Sequence, residues 1–143
     1  MTSDFSEPFE AERAFYDAFA RLDLRGMGGV WADGDDVICI HPGGPLLQGK
    51  GPVMESWREI MSGTAPPVIR FRPLQRFAEG ALAVHLVEEL ITPGGPPQRE
   101  ATRVLATNVY RKDGDHWRLI EHHASLPLVA ARAAVAEDSA VLH

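Results

Sequence analysis

The sequence predicts one α+β domain whose N-terminal helices cover one face of an antiparallel sheet formed by the later strands. Three observations carry that prediction. Helical periodicity is confined to roughly the first 62 residues, and four long strand-like runs follow residue 68. Those runs are separated by turn sequences, PGGPP at 93–97 and RKDGDH around Gly114. A length of 143 residues suits a single domain, and 45% hydrophobic with 24% charged residues supports a packed core and excludes wholesale disorder. The domain is expected over residues 5–127, with an Ala-rich tail at 128–143 that adds a helix or frays.

The elements follow in order. Ser6 is positioned to cap a first helix, with Glu7 and Pro8 at its start. Phe15, Ala18, Phe19 and Leu22 then form one apolar stripe at i, i+3, i+4 and i+7. A second helix is expected over 24–32, weakened by Gly26, Gly28 and Gly29. A short apolar strand at 37–42 stops at Pro42, Gly43 and Gly44. A third helix over 52–62 places Val53, Trp57, Ile60 and Met61 on one face and ends at Gly63. Strands are expected at 68–77, 81–91, 98–111 and 117–125.

Several function classes are disfavoured. A formal net charge of −6 with scattered basic residues does not suit nucleic-acid binding, which needs clustered Lys and Arg. No apolar run approaches the ~20 residues of a membrane span, so no membrane association is expected. The acidic start MTSDFSEPFEAER does not read as a signal peptide. The single cysteine, Cys39, suits a reducing compartment, so the expected location is cytoplasmic. It reads as a small buried strand residue, and pairing with His41 two residues along the same strand is a poor geometry for a nucleophile. Gly43 and Gly44 lack the Lys and Ser/Thr of a phosphate loop. His41, His122, His123 and Glu88 are potential metal ligands, but neither a His-Glu-x-x-His helix nor a paired-Cys motif is present. No metal and no cofactor are expected.

Two segments carry a family resemblance. HPGGPLLQGKGPVMESW resembles the His-Pro-Gly-Gly and Ser-Trp segment of SnoaL-like domains, and ATNVYRKDGDHWRLIEHHAS resembles their closing hairpin. The hairpin is also similar to the association domain of calcium/calmodulin-dependent kinase. Together with the element order, these identify residues 9–127 as a member of the nuclear transport factor two-like superfamily. The resemblance implies a cone, a curved sheet wrapped around the helices with an internal pocket, and a homodimer through the exposed sheet face. Trp117, Leu119, Val109 and Leu105 are the expected apolar contributors to that face. The superfamily includes isomerases, cyclases, dehydratases, epoxide hydrolases and non-catalytic binders, so fold alone does not fix function. The pocket arginines of the kinase association domain are replaced here, at the matching positions, by Asn108 and Ala124. The Tyr and Asp arrangement of ketosteroid-isomerase-like members has no counterpart that sequence places.

Strand parity selects the candidate pocket residues. At 81–91 the even row, Leu82, Val84, Leu86, Glu88 and Leu90, is apolar but for one carboxylate, which points Glu88 inward and Glu89 outward. A buried carboxylate either does chemistry or pairs with a nearby Arg or backbone amide. Asn108 and Tyr110 share the even row of the next strand. His122 and His123 face opposite ways, and the kinase comparison favours His122 as the inward one, with Trp117 and Leu119 on the opposite face. A single bulge would reverse that assignment. His41 closes the first strand beside the Pro-Gly-Gly loop, and Trp57 is on the third helix, where core packing is the simpler role. The expected site therefore has Glu88 and His122 as acid and base, with His41, Asn108, Trp57, Tyr110 and His123 as ligand contacts. Two functions remain open: acid–base chemistry on a small apolar carbonyl compound, of isomerase, dehydratase or cyclase type, or a non-catalytic ligand-binding or dimerisation module.

Overall fold

A computed structural model describes residues 4–127, so the tail at 128–143 lies outside the described residues. Three helices, α1 (Pro8–Arg21), α2 (Leu24–Val30) and α3 (Lys50–Ile60), pack against a six-stranded sheet. Its strands are β1 (Ile38–Ile40), β2 (Leu47–Gln48), β3 (Val68–Glu79), β4 (Leu82–Thr92), β5 (Thr102–Asp113) and β6 (His116–Ser125). The spatial order is β2-β1-β6-β5-β4-β3. The β3–β6 meander is antiparallel throughout, while β1 joins β6 in parallel and pairs Cys39 with His122. The two-residue strand β2 and the parallel junction were not expected from the sequence.

The helix boundaries show local chemistry at work. The N-cap of α1 is Glu7 rather than Ser6, with Pro8 in the first turn, where a missing N–H costs nothing. Ser6 instead donates from Oγ to Glu10 Oε1 at 2.6 Å. In α2 the Asp23 carboxylate accepts from the Gly26 N–H at 2.9 Å and caps the helix. A Cβ on Gly26 would lie 2.4 Å from that carboxylate, so glycine here permits the cap. At the β5–β6 turn Gly114 takes φ 65°, a left-handed conformation that other side chains adopt at a cost.

Two irregularities shape the sheet. Register shifts between Pro73 and Gln75 on β3 leave Leu74 unpaired, and β3 is an edge strand, where proline is tolerated. On β6, Tyr110 pairs with Leu119 and Val109 with Glu121, which leaves Ile120 as an extra residue. That bulge switches parity along β6. Trp117 and Leu119 enter the core below it and His122 and Ala124 above it. Trp117 and Leu119 are therefore not part of the outer sheet face, as parity had suggested, whereas Leu105 and Val109 are. The main core gathers Phe15, Met27, Trp31, Val37, Cys39, Val53, Trp57, Val87 and Tyr110 between the helices and the inner face. Ile60, expected on the packed face of α3, is 43% exposed.

Candidate functional site

The inner face of β4 carries the odd residues, the reverse of the sequence expectation. Ala83, His85, Val87 and Glu89 are buried, and Glu89 is only 2% exposed. Glu88 points outward, where Arg103 Nε donates to its Oε2 at 2.6 Å and Arg72 donates to its Oε1 at 3.2 Å. The Arg103 bond leads in holding the Glu88 carboxyl below the usual carboxylate range. Glu88 thus has the arginine pairing that sequence left open as its structural alternative. His123 is likewise on the outer face, exposed and opposite Thr107. Neither can line the interior.

The interior polar groups form two linked sets, both rooted in α1. In the first, Tyr16 donates to Glu89 Oε2 at 2.5 Å, Asn108 Nδ2 donates to the Tyr16 hydroxyl at 3.0 Å, and His122 Nδ1 meets Asn108 Oδ1 at 2.6 Å. In the second, Glu12 Oε2 takes both His85 Nδ1 at 2.9 Å and the Tyr110 hydroxyl at 3.0 Å. Glu12 and Tyr16 are one helical turn apart, so one helix face delivers both to the sheet. Asn108 and His122 are register partners on β5 and β6, which explains their contact.

Aromatic rings enclose the His122 end. Phe15 lies 4.9 Å and Trp57 6.0 Å from the His122 ring, centroid to centroid, and His41 lies 4.9 Å from Trp57. His41 Nε2 is 2.9 Å from Ser56 Oγ. The Ser56 hydroxyl spends its hydrogen on Val53 O at 2.6 Å, so His41 Nε2 is the donor in that pair. At the other end Tyr16 stacks on Phe71 with centroids 4.3 Å apart.

Burial sets the electrostatics. It pushes the Glu89 carboxyl up to about 7, with Glu12 adding to the rise and the Tyr16 bond opposing it. It pushes His122 down to about 3, helped by His41 and His123, so His122 is neutral at physiological pH. Desolvation likewise lowers His41 and raises Tyr16 and Tyr110 well above the usual tyrosine value. Cys39 is pushed up to about 12, which leaves it an inert thiol. Three buried polar atoms, Glu12 Oε1, Trp31 Nε1 and Trp57 Nε1, have no partner among the described residues.

Of the residues proposed from sequence, the structure brings together Asn108, His122, Trp57 and His41, and buries Tyr110 against Glu12. It separates Glu88 and His123 from them. Sequence reasoning missed Glu12, Tyr16, His85 and Glu89. The spacing of Glu12, Tyr16 and Phe19 on α1 was the available signal for the first two. A cavity of about 240 Å³ lies outside the cone, against Phe9, Glu10, Arg13, Ala14 and Asp17 on the outer side of α1.

This geometry, helices laid against a curved sheet with a polar thread inside, is that of the nuclear transport factor two-like cone. The chain belongs to the SnoaL-like domain family, which matches residues 10–129. It is similar to a Thiobacillus denitrificans protein provisionally assigned as a calcium/calmodulin-dependent protein kinase type II association domain. The two are 32% identical with a TM-score of 0.80, over 87% of this chain and 98% of that one. It is also similar to a Streptomyces avermitilis protein of the NTF2-like family provisionally assigned as a dehydratase. Here the identity is 33% and the TM-score 0.75, over 85% and 94% of the two chains. The F-box protein SKIP8 of Arabidopsis thaliana is 28% identical over 111 residues, and the match covers 74% of this chain but only 43% of that relative's length. No helix among the described residues is long and apolar enough to cross a membrane.

Proposed function

We propose that the domain binds a small, largely apolar organic molecule inside its cone and exchanges protons with it through Glu89 and His122. The observation that carries this reading is the unbroken buried chain Glu89–Tyr16–Asn108–His122, separate from the Glu12, His85 and Tyr110 set and flanked by apolar walls. Buried ionisable groups are costly to keep and concentrate where chemistry is done. A carboxyl that titrates near 7 can give or take a proton at neutral pH, and a neutral imidazole can accept one. Tyr16 and Asn108 hold the two ends in fixed relation, and Trp57 and His41 flank His122. Isomerisation, dehydration or ring closure beside a carbonyl requires little more than an acid, a base and dry surroundings. The dehydratase assignment of one similar protein agrees with this chemistry. The lone buried Cys39 fits a reducing, cytoplasmic setting.

A thermal-shift and turnover screen of small cyclic ketones and enones tests the proposal, because a ligand specific for the folded state raises the melting temperature. At least one compound should shift the wild type and be turned over. Glu89→Gln should lose turnover by about a hundredfold or more while still melting cooperatively. Full turnover by Glu89→Gln would remove Glu89 from the chemistry.

A second reading, compatible with the first, is a homodimer formed through the outer sheet face. It is favoured by the apolar surface there, where Phe77 is 60%, Leu82 47% and Leu86 38% exposed. Val84, Leu105 and Val109 continue that surface across β4 and β5. Light scattering should give twice the 15.7 kDa chain mass, and a monomer at micromolar concentration would sink the reading.

A further inference from the structure

The interior chain of hydrogen bonds has a direction, which follows from how many hydrogens each group owns. When Glu89 is ionised and can only accept, the one hydroxyl hydrogen of Tyr16 goes to Glu89 Oε2. The Tyr16 oxygen must then accept, and it does so from Asn108 Nδ2. That turns the amide oxygen of Asn108 toward His122, where it can only accept, so the hydrogen in the 2.6 Å contact belongs to His122 Nδ1. A neutral imidazole has one ring hydrogen. With that hydrogen on Nδ1, Nε2 is a bare lone pair, and among the described residues it takes no hydrogen bond. Three bonds thus all run from His122 toward Glu89, and the free end at His122 is an acceptor.

We propose that the site recognises its ligand through a hydrogen that the ligand donates to His122 Nε2, and so takes a neutral hydroxyl-bearing molecule in preference to its ether or its carboxylate. The inference rests on the reading of the cone as a ligand site and adds the chemical class of what enters it. A carboxylate has no hydrogen to give at neutral pH. It would also meet an interior holding Glu12 and Glu89, to neither of which any Lys or Arg is hydrogen-bonded among the described residues. An ether matches the apolar walls of Phe15 and Trp57 but would cover the Nε2 lone pair without giving it a hydrogen, which is penalised.

Two measurements test this at pH 8.5, where Glu89 is ionised. In protein labelled with 15N-histidine, the ring-nitrogen shifts of His122 should report the Nδ1–H form, with Nε2 unprotonated. Binding is compared for phenol, anisole and benzoate, which share a ring and differ in the donated hydrogen and the charge. Phenol should bind about tenfold more tightly than anisole, and benzoate should not bind. His122→Phe should abolish the difference between phenol and anisole. If that variant does not fold, the wild-type tautomer and the order of the three probes still decide. A hydrogen on Nε2, benzoate binding as tightly as phenol, or no binding by any of the three overturns the inference. Equal binding of phenol and anisole, with turnover of a ketone still dependent on Glu89, overturns this inference alone. Failure of every carbonyl compound to bind or react overturns the proposed function itself.

Discussion

Glu88 and Glu89 are neighbours on one strand, yet they have opposite chemistry. Glu88 faces outward between two arginines, and its carboxyl is held below the usual range. Glu89 faces inward against a tyrosine hydroxyl, and burial pushes its carboxyl up to about 7. The two differ only in the face of the sheet to which the pleat assigns them. A carboxylate's character is thus set by which side of β4 it occupies, and the outer face builds an ion-pair cluster where the inner face builds a candidate acid–base site.

The contrast between faces extends to packing and should appear most strongly there. Phe15 is fully buried and touches Tyr16, Trp31, Trp57 and His122, whereas Phe77 on the outer face is 60% exposed. Phe15→Ala should cost about 3–5 kcal/mol in chemical denaturation. Phe77→Ala should change monomer stability by less than about 0.5 kcal/mol. A large loss at Phe77 that depends on protein concentration would mean that the outer face is covered by a second copy.

The carboxylates should separate next, through pH. Glu89 has a folded value raised above its unfolded one of 4.5, so it favours the fold below that value and loses the benefit as pH rises through about 7. The shift corresponds to roughly 3 kcal/mol, an order-of-magnitude figure. Glu89→Gln should flatten the fall in stability between pH 5 and 8 and make the variant the more stable protein at pH 8. Glu88 has the opposite sign. Its lowered value favours the fold above the unfolded carboxylate value, and that benefit is lost as pH falls through the folded one. Because its arginine partners are largely exposed, Glu88→Gln should have the smallest effect of all, seen only as a slightly weaker loss of stability in acid. Urea denaturation across pH checks both, and a slope unchanged by Glu89→Gln would contradict the inner assignment.

The same contrast explains what sequence could and could not say. Element order, the meander and the inward rows of β5 were legible, because Val104, Ala106, Asn108 and Tyr110 alternate cleanly with more exposed neighbours. On β4 the alternation misled. Leu82, Val84, Leu86 and Leu90 form the more apolar row, yet they face outward, while the mixed row with His85 and Glu89 faces in. Hydrophobicity marks the buried face only when the other face is polar, and here both are substantially apolar. On β6 the Ile120 bulge put Trp117 and Leu119 inside, and no residue pattern announces an extra residue in a ladder. On α1 a stripe drawn from apolar residues alone passed over Glu12 and Tyr16, although they share the buried side of the helix with Phe15. Tyr16 and Glu89 are 73 residues apart, so their contact is made only by the fold and no local pattern could announce it.

The central claim is that burial, against the opposing Tyr16 bond, holds the inner carboxylate as a near-neutral acid while its neighbour is an ordinary ion-paired one. Direct titration of the two side-chain carboxyl carbons by 13C NMR tests it. The account predicts a Glu89 midpoint near 7 that moves in Tyr16→Phe, and a Glu88 midpoint below the usual glutamate value. Two overlapping midpoints in the ordinary glutamate range would contradict it.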